Sequence, residues 1–269
     1  MKIISSKKKL LKIIKNEKNL GFVPTMGAIH LGHISLIKKS NLQCNKTIVS
    51  IFINKPQFNN NNDFSKYPRR INKDIYLLKK AKIDYLYLPK FNQIYPSGPN
   101  NKITITSFSK DLCGKYRPEH FKAVVDVIER FIKLINPKKI YFGQKDMQQL
   151  KIIEHYINKN KIKTKVVGCK TIREKNGLAL SSRNQLLSEK EKKTGSLIYK
   201  FLLLNKKKII KDKINLKDVK NNIYKLGANK IDYLKIINVN KVIIPYKKNN
   251  NYKIFIAYYL GSIRLIDNI

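Results

Sequence analysis

Hydrophobic and polar residues alternate with two different periods along the first two thirds of the chain. Short β-branched runs predict buried strands, the strongest of them at 47–53. Between such runs, apolar residues three and four positions apart predict amphipathic helices, notably over 118–135 and 146–158. Further strands are predicted at 20–23, 85–88, 139–142 and 164–167. Pro24 is expected to stop the first of these.

The pattern changes near residue 170. Residues 188–227 read mostly as lysine-rich helix, strands are predicted at 231–236 and 252–257, and the polar tract 247–251 predicts a hairpin turn. Apolar strands alternating with helices favour a parallel sheet covered on both faces. We therefore expect an α/β protein: a Rossmann-like, doubly wound parallel sheet over 1–170 and a smaller α+β C-terminal domain over 171–269.

Composition narrows the class of protein. The 269 residues are 42% hydrophobic, which suffices for a core. No apolar run approaches the ~20 residues of a membrane span, and the first residues lack the pattern of a secretory signal. Three separated cysteines, Cys44, Cys113 and Cys169, suit a reducing compartment and no disulfide framework. We expect a cytoplasmic globular protein without a membrane partner.

The charge points weakly toward nucleic acid. Lys and Arg number 57 against 17 Asp and Glu, for a net charge of +40, but arginine occurs only seven times and the other 50 are lysine. Base and phosphate recognition relies on the planar arginine fork, and here the basic residues spread along nearly every helix. A basic nucleic-acid-binding protein stays an alternative hypothesis, and no specific nucleic-acid partner is expected.

The sharpest chemical signal is His30-Leu31-Gly32-His33, which follows a strand and opens a helix. Two imidazoles three positions apart lie on one face of a first helical turn. The N–H groups and partial positive charge of a helix N-terminus favour polyphosphate, and Gly32 leaves room for a nucleotide near the backbone. The alternatives are two ordinary helix histidines or a two-ligand metal site.

A second cluster follows the strand at 139–142. Gly143 and Gln144 precede Lys145, which would lie at the carboxyl end of that strand and could neutralise phosphate charge. One lysine among 50 is weak evidence by itself. Asp146 begins the next helix, so helix capping and contact with a ribose are both open readings.

Two further segments combine scarce residue types. Ser181 and Ser182 stand beside Arg183, one of the seven arginines, which suits a phosphate clamp as well as an ordinary turn into a helix. In the segment from Arg117 to His120, Pro118 fits a first helical turn, which leaves the arginine and the histidine unexplained.

Together these segments resemble the pantothenate synthetase (pantoate–β-alanine ligase) family of the nucleotidyltransferase superfamily with the paired-histidine turn. The resemblance runs nearly end to end, from Val23-Pro24-Thr25-Met26-Gly27 to the closing Leu265-Ile266-Asp267-Asn268. It implies an ATP- and Mg²⁺-dependent condensation of pantoate with β-alanine, through a pantoyl-adenylate intermediate. It also implies a homodimer through the larger domain and a lid role for the smaller one.

The resemblance also implies site residues. The groups that would stabilise charge during the reaction are His30, His33, Lys145, Ser181, Ser182 and Arg183. Those that would contact ATP are Met26, Gly27, Ala28, Ile29, His30, Leu31, Gly32, His33, Gly143, Gln144, Lys145, Asp146, Ile172, Leu180, Ser181, Ser182 and Arg183. Pantoate would be bound by Gln57, Gln149 and Asn54, and β-alanine also by Gln57. No residue is assigned as a direct metal ligand.

Several positions depart from the family pattern. Pro56 is shifted by one position in the segment before Gln57, and Gln144 replaces the usual glutamate before Lys145. Lys73 stands beside Asp74 in place of an acidic pair, which weakens a magnesium role there. None of these departures changes a residue assigned to the reaction. Another small-molecule nucleotidyltransferase, or a decayed homologue acting as a scaffold, remains an alternative.

Overall fold

The computed structural model describes residues 1–59, 61–100, 102–242 and 249–269. It contains two units, and each has its own core. The first comprises 1–144 with 148–170, and the second comprises 145–147 with 171–269. The short segment 145–147 thus follows the main sheet in sequence but packs with the C-terminal unit.

The first unit is built on a six-stranded parallel sheet with the order β1-β4-β3-β2-β5-β6. Successive strands run outward from β2 in both directions, so the sheet is wound both ways and the predicted doubly wound fold is confirmed. The strands are β1 (Lys2–Ile4), β2 (Leu20–Thr25), β3 (Lys46–Ile51), β4 (Tyr85–Tyr87), β5 (Lys139–Gly143) and β6 (Lys165–Cys169).

Helices cover both faces of this sheet. Successive residues of a strand point to opposite faces, so they pack against different helices. On β2, Phe22 lies 5.3 Å from the Phe131 ring between centroids. The next residue, Val23, packs in a buried cluster with Ile37 and Leu78. The helices are α1 (Lys7–Ile14), α2 (Leu31–Gln43), α3 (Asn61–Ser65), α4 (Ile71–Lys80), α5 (Phe91–Ile94), α6 (Cys113–Tyr116), α7 (His120–Ile135) and α8 (Met147–Lys159).

One boundary differs from the sequence prediction. Strand β2 continues through Pro24 and ends at Thr25, with Pro24 paired to Ser50 of β3. Proline lacks an N–H, so it cannot donate to the neighbouring strand that its nitrogen faces. The ladder between β2 and β5 involves only Gly21 and Phe22, so it has already ended where Pro24 occurs. The strand therefore tolerates the proline at its carboxyl end.

The second unit packs two helices against a three-stranded antiparallel sheet of order β7-β8-β9. Its core includes Leu202 and Ile209 from the first helix and Ile256 from the central strand. The elements are α9 (Glu189–Ile210), α10 (Leu216–Lys225), β7 (Lys230–Asn238), β8 (Tyr252–Leu260) and β9 (Ile263–Asn268). The α/β fold class with an α+β C-terminal part is confirmed. Lys247 and Lys248 of the predicted hairpin turn lie outside the described residues.

Helix α9 begins where the sequence supplies a capping box. Ser188 accepts the N–H of Glu191, and Glu191 accepts the N–H of Ser188 at 2.7 Å. Such reciprocal caps contribute about 1 kcal/mol each. Among the residues that the structure describes, we find no helix long and apolar enough to cross a membrane.

Candidate active site

The predicted residues of the first unit follow the carboxyl ends of adjacent strands. Strand β2 lies between β3 and β5, and the strand order reverses there. The paired-histidine turn follows β2, the segment with Asn54 and Gln57 follows β3, and Gly143 ends β5. Ligands of open parallel sheets bind at such a reversal, outside the carboxyl ends of the strands.

The two histidines form a reciprocal cap at the start of α2. His30 is the N-cap residue, with extended backbone, and its Nδ1 accepts the N–H of Gly32 at 3.1 Å. His33 is the third residue of the helix, and its Nδ1 accepts the N–H of His30 at 3.3 Å. The ring centroids lie 4.1 Å apart. The rings are thus neighbours, although His30 precedes the helix and does not lie within it.

These contacts fix which ring nitrogen carries the hydrogen. A neutral imidazole has one acceptor and one donor nitrogen, and Nδ1 is the acceptor in both residues. Nε2 is therefore the donor in both rings. Two N–H donors beside a helix N-terminus suit the oxygens of a phosphate. Leu31, between the histidines, is 68% exposed.

The turn before the histidines is held by a carboxylate distant in sequence. Asp74 on α4 accepts the N–H of Ala28 at 2.9 Å through Oδ2 and that of Ile29 at 2.8 Å through Oδ1. Gly27 and Ala28 have positive φ angles of 82° and 50°, and the latter is unfavourable for alanine. A Cβ on Gly27 would lie 3.0 Å from Asp74 Oδ2, so a side chain there would crowd the carboxylate.

The sequence analysis considered Asp74 only for a weakened magnesium role and did not predict its contacts with the turn. Asp74 is 2% exposed and lies one turn from the buried Leu78. A carboxylate on the apolar side of an amphipathic helix is unusual unless it has partners. That placement is the sequence signal for a buried structural role.

Gln57 lies in a network with two other predicted residues. Its Nε2 is 3.0 Å from the sulfur of Met26, and its Oε1 accepts from Asn54 Nδ2 at 3.1 Å. Asn54 is 1% exposed, and its Oδ1 accepts from the hydroxyl of Tyr95 at 2.8 Å. Burial raises the pKa of Tyr95, so this hydroxyl keeps its proton and donates. The structure thus brings Met26, Asn54 and Gln57 together.

Arg117 and His120 also converge on Gln57, but on its backbone. The carbonyl oxygen of Gln57 lies 2.7 Å from His120 Nδ1 and 3.2 Å from Arg117 Nη2.

Gln149 lies half-buried on the first turn of α8. Its neighbour Gln148 is buried and donates to the carbonyls of Phe108 and Asp111, so this glutamine anchors the 107–113 turn.

Lys145 belongs to a short 3-10 turn, Gln144–Asp146, between β5 and α8. Its side chain is 16% exposed, and Nζ lies 3.6 Å from Asp146 Oδ1. Its carbonyl oxygen accepts from Asn268 Nδ2 at 2.9 Å, a contact within the second unit. The cation is therefore mostly enclosed, and its backbone is fixed by a residue near the end of β9.

The remaining predicted residues of the second unit lie at the end of a short hairpin. Leu180 N–H donates to the carbonyl of Ile172 at 3.0 Å, and the chain then enters the 3-10 turn Ser182–Leu186. Ser181 caps this turn by accepting the N–H of Arg183 at 3.2 Å. Ser181, Ser182 and Arg183 therefore lie at the start of one capped turn.

The doubly wound sheet carries a paired-histidine turn at the carboxyl edge of β2, an arrangement that suits nucleotide binding. Comparison with known families makes this specific. The chain belongs to the pantoate–β-alanine ligase family, whose model matches residues 2–269. The resemblance drawn from the sequence is confirmed.

Relatives and solved structures agree over the whole length. The pantothenate synthetase of Endomicrobium trichonymphae is 42% identical, over 100% of this chain and 97% of that protein. The one from Caldicellulosiruptor bescii is 38% identical over 99% and 96%. The crystal structure of the pantoate–β-alanine ligase from Francisella tularensis complexed with β,γ ATP and β-alanine is 36% identical. It has a TM-score of 0.85 and covers 100% of this chain and 97% of that one. The Thermus thermophilus structure has a TM-score of 0.90 at 30% identity, covering 100% and 99%.

Proposed function

We propose that this chain condenses pantoate with β-alanine at the expense of ATP, forming pantothenate, AMP and pyrophosphate. The observation that carries the proposal is family membership over residues 2–269. The paired-histidine turn at the carboxyl edge of the parallel sheet supports it.

The first step activates a carboxylate, which is a poor electrophile. A pantoate carboxylate oxygen forms a bond to the α-phosphorus of ATP, and the bond between that phosphorus and the bridging oxygen to the β-phosphate breaks. The products are pantoyl adenylate and pyrophosphate. No bond to the protein forms, so positioning and charge stabilisation are what the protein must supply.

His30 and His33 donate from Nε2 to phosphate oxygens as the α-phosphorus becomes five-coordinate. The support is that both Nδ1 atoms accept backbone N–H groups, which leaves the hydrogen on Nε2. Removing one such preorganised donor typically costs about 10²-fold in rate. Met26 through Gly32 line the nucleotide side of the same turn.

Pantoate is bound beside Gln57. Gln57 and Gln149 bond its hydroxyl and carboxylate oxygens, and Met26 separates the nucleotide from the acyl group. Asn54 acts through Gln57, because it is 1% exposed and its Nδ2 already donates both to Gln57 Oε1 and to the carbonyl of Ala123. The support is the enclosed network that fixes the amide of Gln57.

The second step releases AMP. The neutral amine of β-alanine attacks the acyl carbon of the adenylate, a C–N bond forms, and the bond from that carbon to the AMP oxygen breaks. The nitrogen loses a proton to solvent. Gln57 also meets β-alanine, which places the amine near the acyl carbon.

Residues of the second unit supply the remaining phosphate contacts. Lys145, Ser181, Ser182 and Arg183 hold phosphate oxygens. The support is that the Lys145 side chain is largely buried and that Ser181 caps the turn that carries Ser182 and Arg183. Residues that meet the nucleoside are Gly143, Gln144, Asp146, Leu180 and the main chain of Ile172.

Magnesium would enter with ATP, where it would neutralise phosphate charge. Within the described ranges, no group of three or more His, Cys, Asp or Glu side chains could hold a metal ion, so the donor set does not fit a cage built by the protein. Asp74 stands at the position that the family resemblance links to magnesium, and it already accepts two backbone N–H groups. The chain's own residues therefore act on the phosphates.

We also propose a cytoplasmic homodimer formed through the larger unit, as the family resemblance implies. Sedimentation of the purified chain at several concentrations measures its mass, and a monomer throughout would refute the dimer.

Exchange of labelled pyrophosphate into ATP tests the first step. Exchange should require pantoate and proceed without β-alanine. His33→Ala should lower the exchange rate about 10²-fold, since a transition-state donor is lost. His155→Ala is the matched control, a histidine on α8 without an assigned role. Exchange supported by a different hydroxy acid would refute the substrate, and an unchanged rate in His33→Ala would refute the role of that histidine.

A further inference from the structure

The closing segment Asp267-Asn268 was singled out by the sequence but has no role in the chemistry above. It ends β9, where both residues are buried, at 8% and 4% exposure. Polar side chains at such depth have partners, and the identity of those partners suggests a use.

Asn268 contacts the backbone of the candidate phosphate lysine. Its Nδ2 donates to the carbonyl oxygen of Lys145 at 2.9 Å, across 123 positions of sequence. Both residues belong to the second unit. The backbone of Asn268 is held in turn, because its N–H donates to Asp267 Oδ1 at 2.8 Å.

Asp267 connects the same strand to the hairpin that leads to Ser181. Both of its oxygens accept from Arg173, at 2.6 Å and 2.9 Å. The Arg173 guanidinium lies 3.9 Å from the ring centre of Tyr199 and also donates to the carbonyl of Gly177 at 3.2 Å. A forked ion pair stacked on a ring allows little movement.

Arg173 lies at the start of this hairpin, and the phosphate residues follow its end. Arg173 pairs with Ala179 in an antiparallel bridge. Asn184 then donates to the carbonyl of Ala179 and to Glu174, at 3.1 Å each. The turn that presents Ser181 to Arg183 is therefore fixed to the same frame as Lys145.

We propose that Asn268 is a positioning residue for Lys145, and that Asp267 joins it to the hairpin before Ser181. The proposal rests on the proposed function, because it concerns the phosphate role of Lys145. A lysine ammonium sits on a flexible four-carbon stem, so it meets a phosphate oxygen reproducibly only when its backbone is fixed. Neither Asn268 nor Asp267 is assigned a contact with the substrate.

Substitutions of Asn268 test the contact. Asn268→Ala removes the donor, and Asn268→Asp keeps the size but places a carboxylate oxygen against the Lys145 carbonyl. A displaced catalytic group lowers rate by about 10-fold to 10²-fold, so kcat should fall by at least about tenfold, more in Asn268→Asp. The KM for pantoate should stay unchanged. Asn205→Asp is the matched control, since its amide also donates to a backbone carbonyl, that of Phe201, at 2.9 Å.

A double-mutant cycle separates positioning from a merely structural role. Lys145→Met removes the ammonium and keeps most of the volume. If Asn268 acts through Lys145, then Asn268→Ala should change kcat less than about twofold in the Lys145→Met background. Equal losses in both backgrounds would overturn the proposal, and so would an unchanged kcat in both Asn268 variants. Thermal unfolding of each variant shows whether it is folded.

The outcomes also distinguish this proposal from the proposed function. A large loss in Lys145→Met with no loss in Asn268→Ala refutes the positioning role alone. An unchanged rate in Lys145→Met refutes the phosphate role of Lys145 and the positioning role with it. Absence of pantoate-dependent exchange in the unmodified chain refutes the proposed function itself.

Discussion

Replacement of Asp74 by asparagine tests whether the paired-histidine turn depends on a buried carboxylate. In the structure each carboxylate oxygen accepts one backbone N–H, from Ala28 and from Ile29. An asparagine side chain has one carbonyl oxygen and one NH₂ group. Asp74→Asn therefore keeps one contact and places the NH₂ against the other backbone N–H.

The magnitude follows from two opposing effects. A buried hydrogen bond to a charged group contributes about 1.5–3 kcal/mol, and its loss leaves an N–H without an acceptor. Against this, burial raises the pKa of Asp74 above 3.8, while the N–H groups of Ile29 and Ala28 lower it in part. The ionised carboxylate is thus held at a cost that asparagine removes. The net loss should lie near the lower limit, about 1.5 kcal/mol, or about tenfold in the population of the ordered turn.

The backbone adds a reason why this turn needs support. Ala28 has a φ of 50°, which costs a residue with a Cβ about 1 kcal/mol. Without the second contact, the turn should relax toward ordinary φ values and displace His30. We therefore expect kcat to fall about tenfold in Asp74→Asn. Ala28→Gly, which lowers the conformational cost, should restore part of the rate in the double variant.

The assay combines pyrophosphate exchange with thermal unfolding. Asp84→Asn is the matched control, because Asp84 also accepts a backbone N–H, from Thr47, at 2.8 Å and pairs with Lys46. Its contact lies at the amino ends of β3 and β4, at the opposite edge of the sheet from the histidines. Both variants should lose stability, and only Asp74→Asn should lose rate. A kcat within twofold of the unmodified chain in Asp74→Asn would refute the reasoning.

The same variant carries a pH signature. A carboxyl whose pKa is raised on folding contributes stability below its unfolded pKa and loses that contribution as the pH rises through the folded value. The burial-raised pKa of Asp74 places this loss above pH 3.8. From there upward, the unmodified chain should lose stability relative to Asp74→Asn. A stability difference independent of pH, measured by denaturant unfolding, would contradict the direction of the shift.

Two further predictions concern substrate binding. Tyr95→Phe removes the hydroxyl that donates to Asn54 Oδ1 at 2.8 Å, so a buried acceptor loses its partner and Gln57 loses support. The KM for pantoate should rise several-fold while the KM for ATP stays constant, and steady-state kinetics that show equal rises would exclude a local effect. The net charge of +40 should speed capture of anionic substrates. Raising salt from about 0.1 M to about 1 M, which shortens the screening length from about 10 Å to about 3 Å, should lower kcat/KM for ATP and leave kcat unchanged. A constant kcat/KM would show that the charge has no part in capture.

The sequence predicted those features that depend on neighbouring residues. The alternation of strands and helices follows from the spacing of hydrophobic residues, and the paired histidines are close in sequence. The geometry of the two histidines could not be predicted in the same way. His30 lies before α2 and serves as its cap, because its Nδ1 accepts the N–H of Gly32. The continuation of β2 through Pro24 depends on where β5 stops pairing, which the sequence of β2 does not contain.

The supporting contacts escaped prediction for a physical reason. Asp74 meets Ala28 across 46 positions, and Asp267 meets Arg173 across 94 positions. Only the completed fold brings such residues together. Asp74 still had a local signal, since it stands four residues before Leu78 on the buried side of α4. The frame around Asn54 and Gln57 had no such signal, because Tyr95 reads as one aromatic among many.

In each unit, a buried acidic residue holds the backbone that carries the groups proposed to bind phosphate. Asp74 accepts two N–H groups of the turn before His30, and Asp267 pairs with Arg173 at the start of the hairpin before Ser181. A carboxylate in contact with a phosphate would repel it. A carboxylate whose oxygens already accept hydrogen bonds can instead hold nearby backbone in place. The chain has only 17 acidic residues against 57 basic ones, so the acids kept in buried positions are more informative than the lysines. In so basic a chain, buried acidic residues such as Asp74 and Asp267 therefore indicate a phosphate site better than the lysines do.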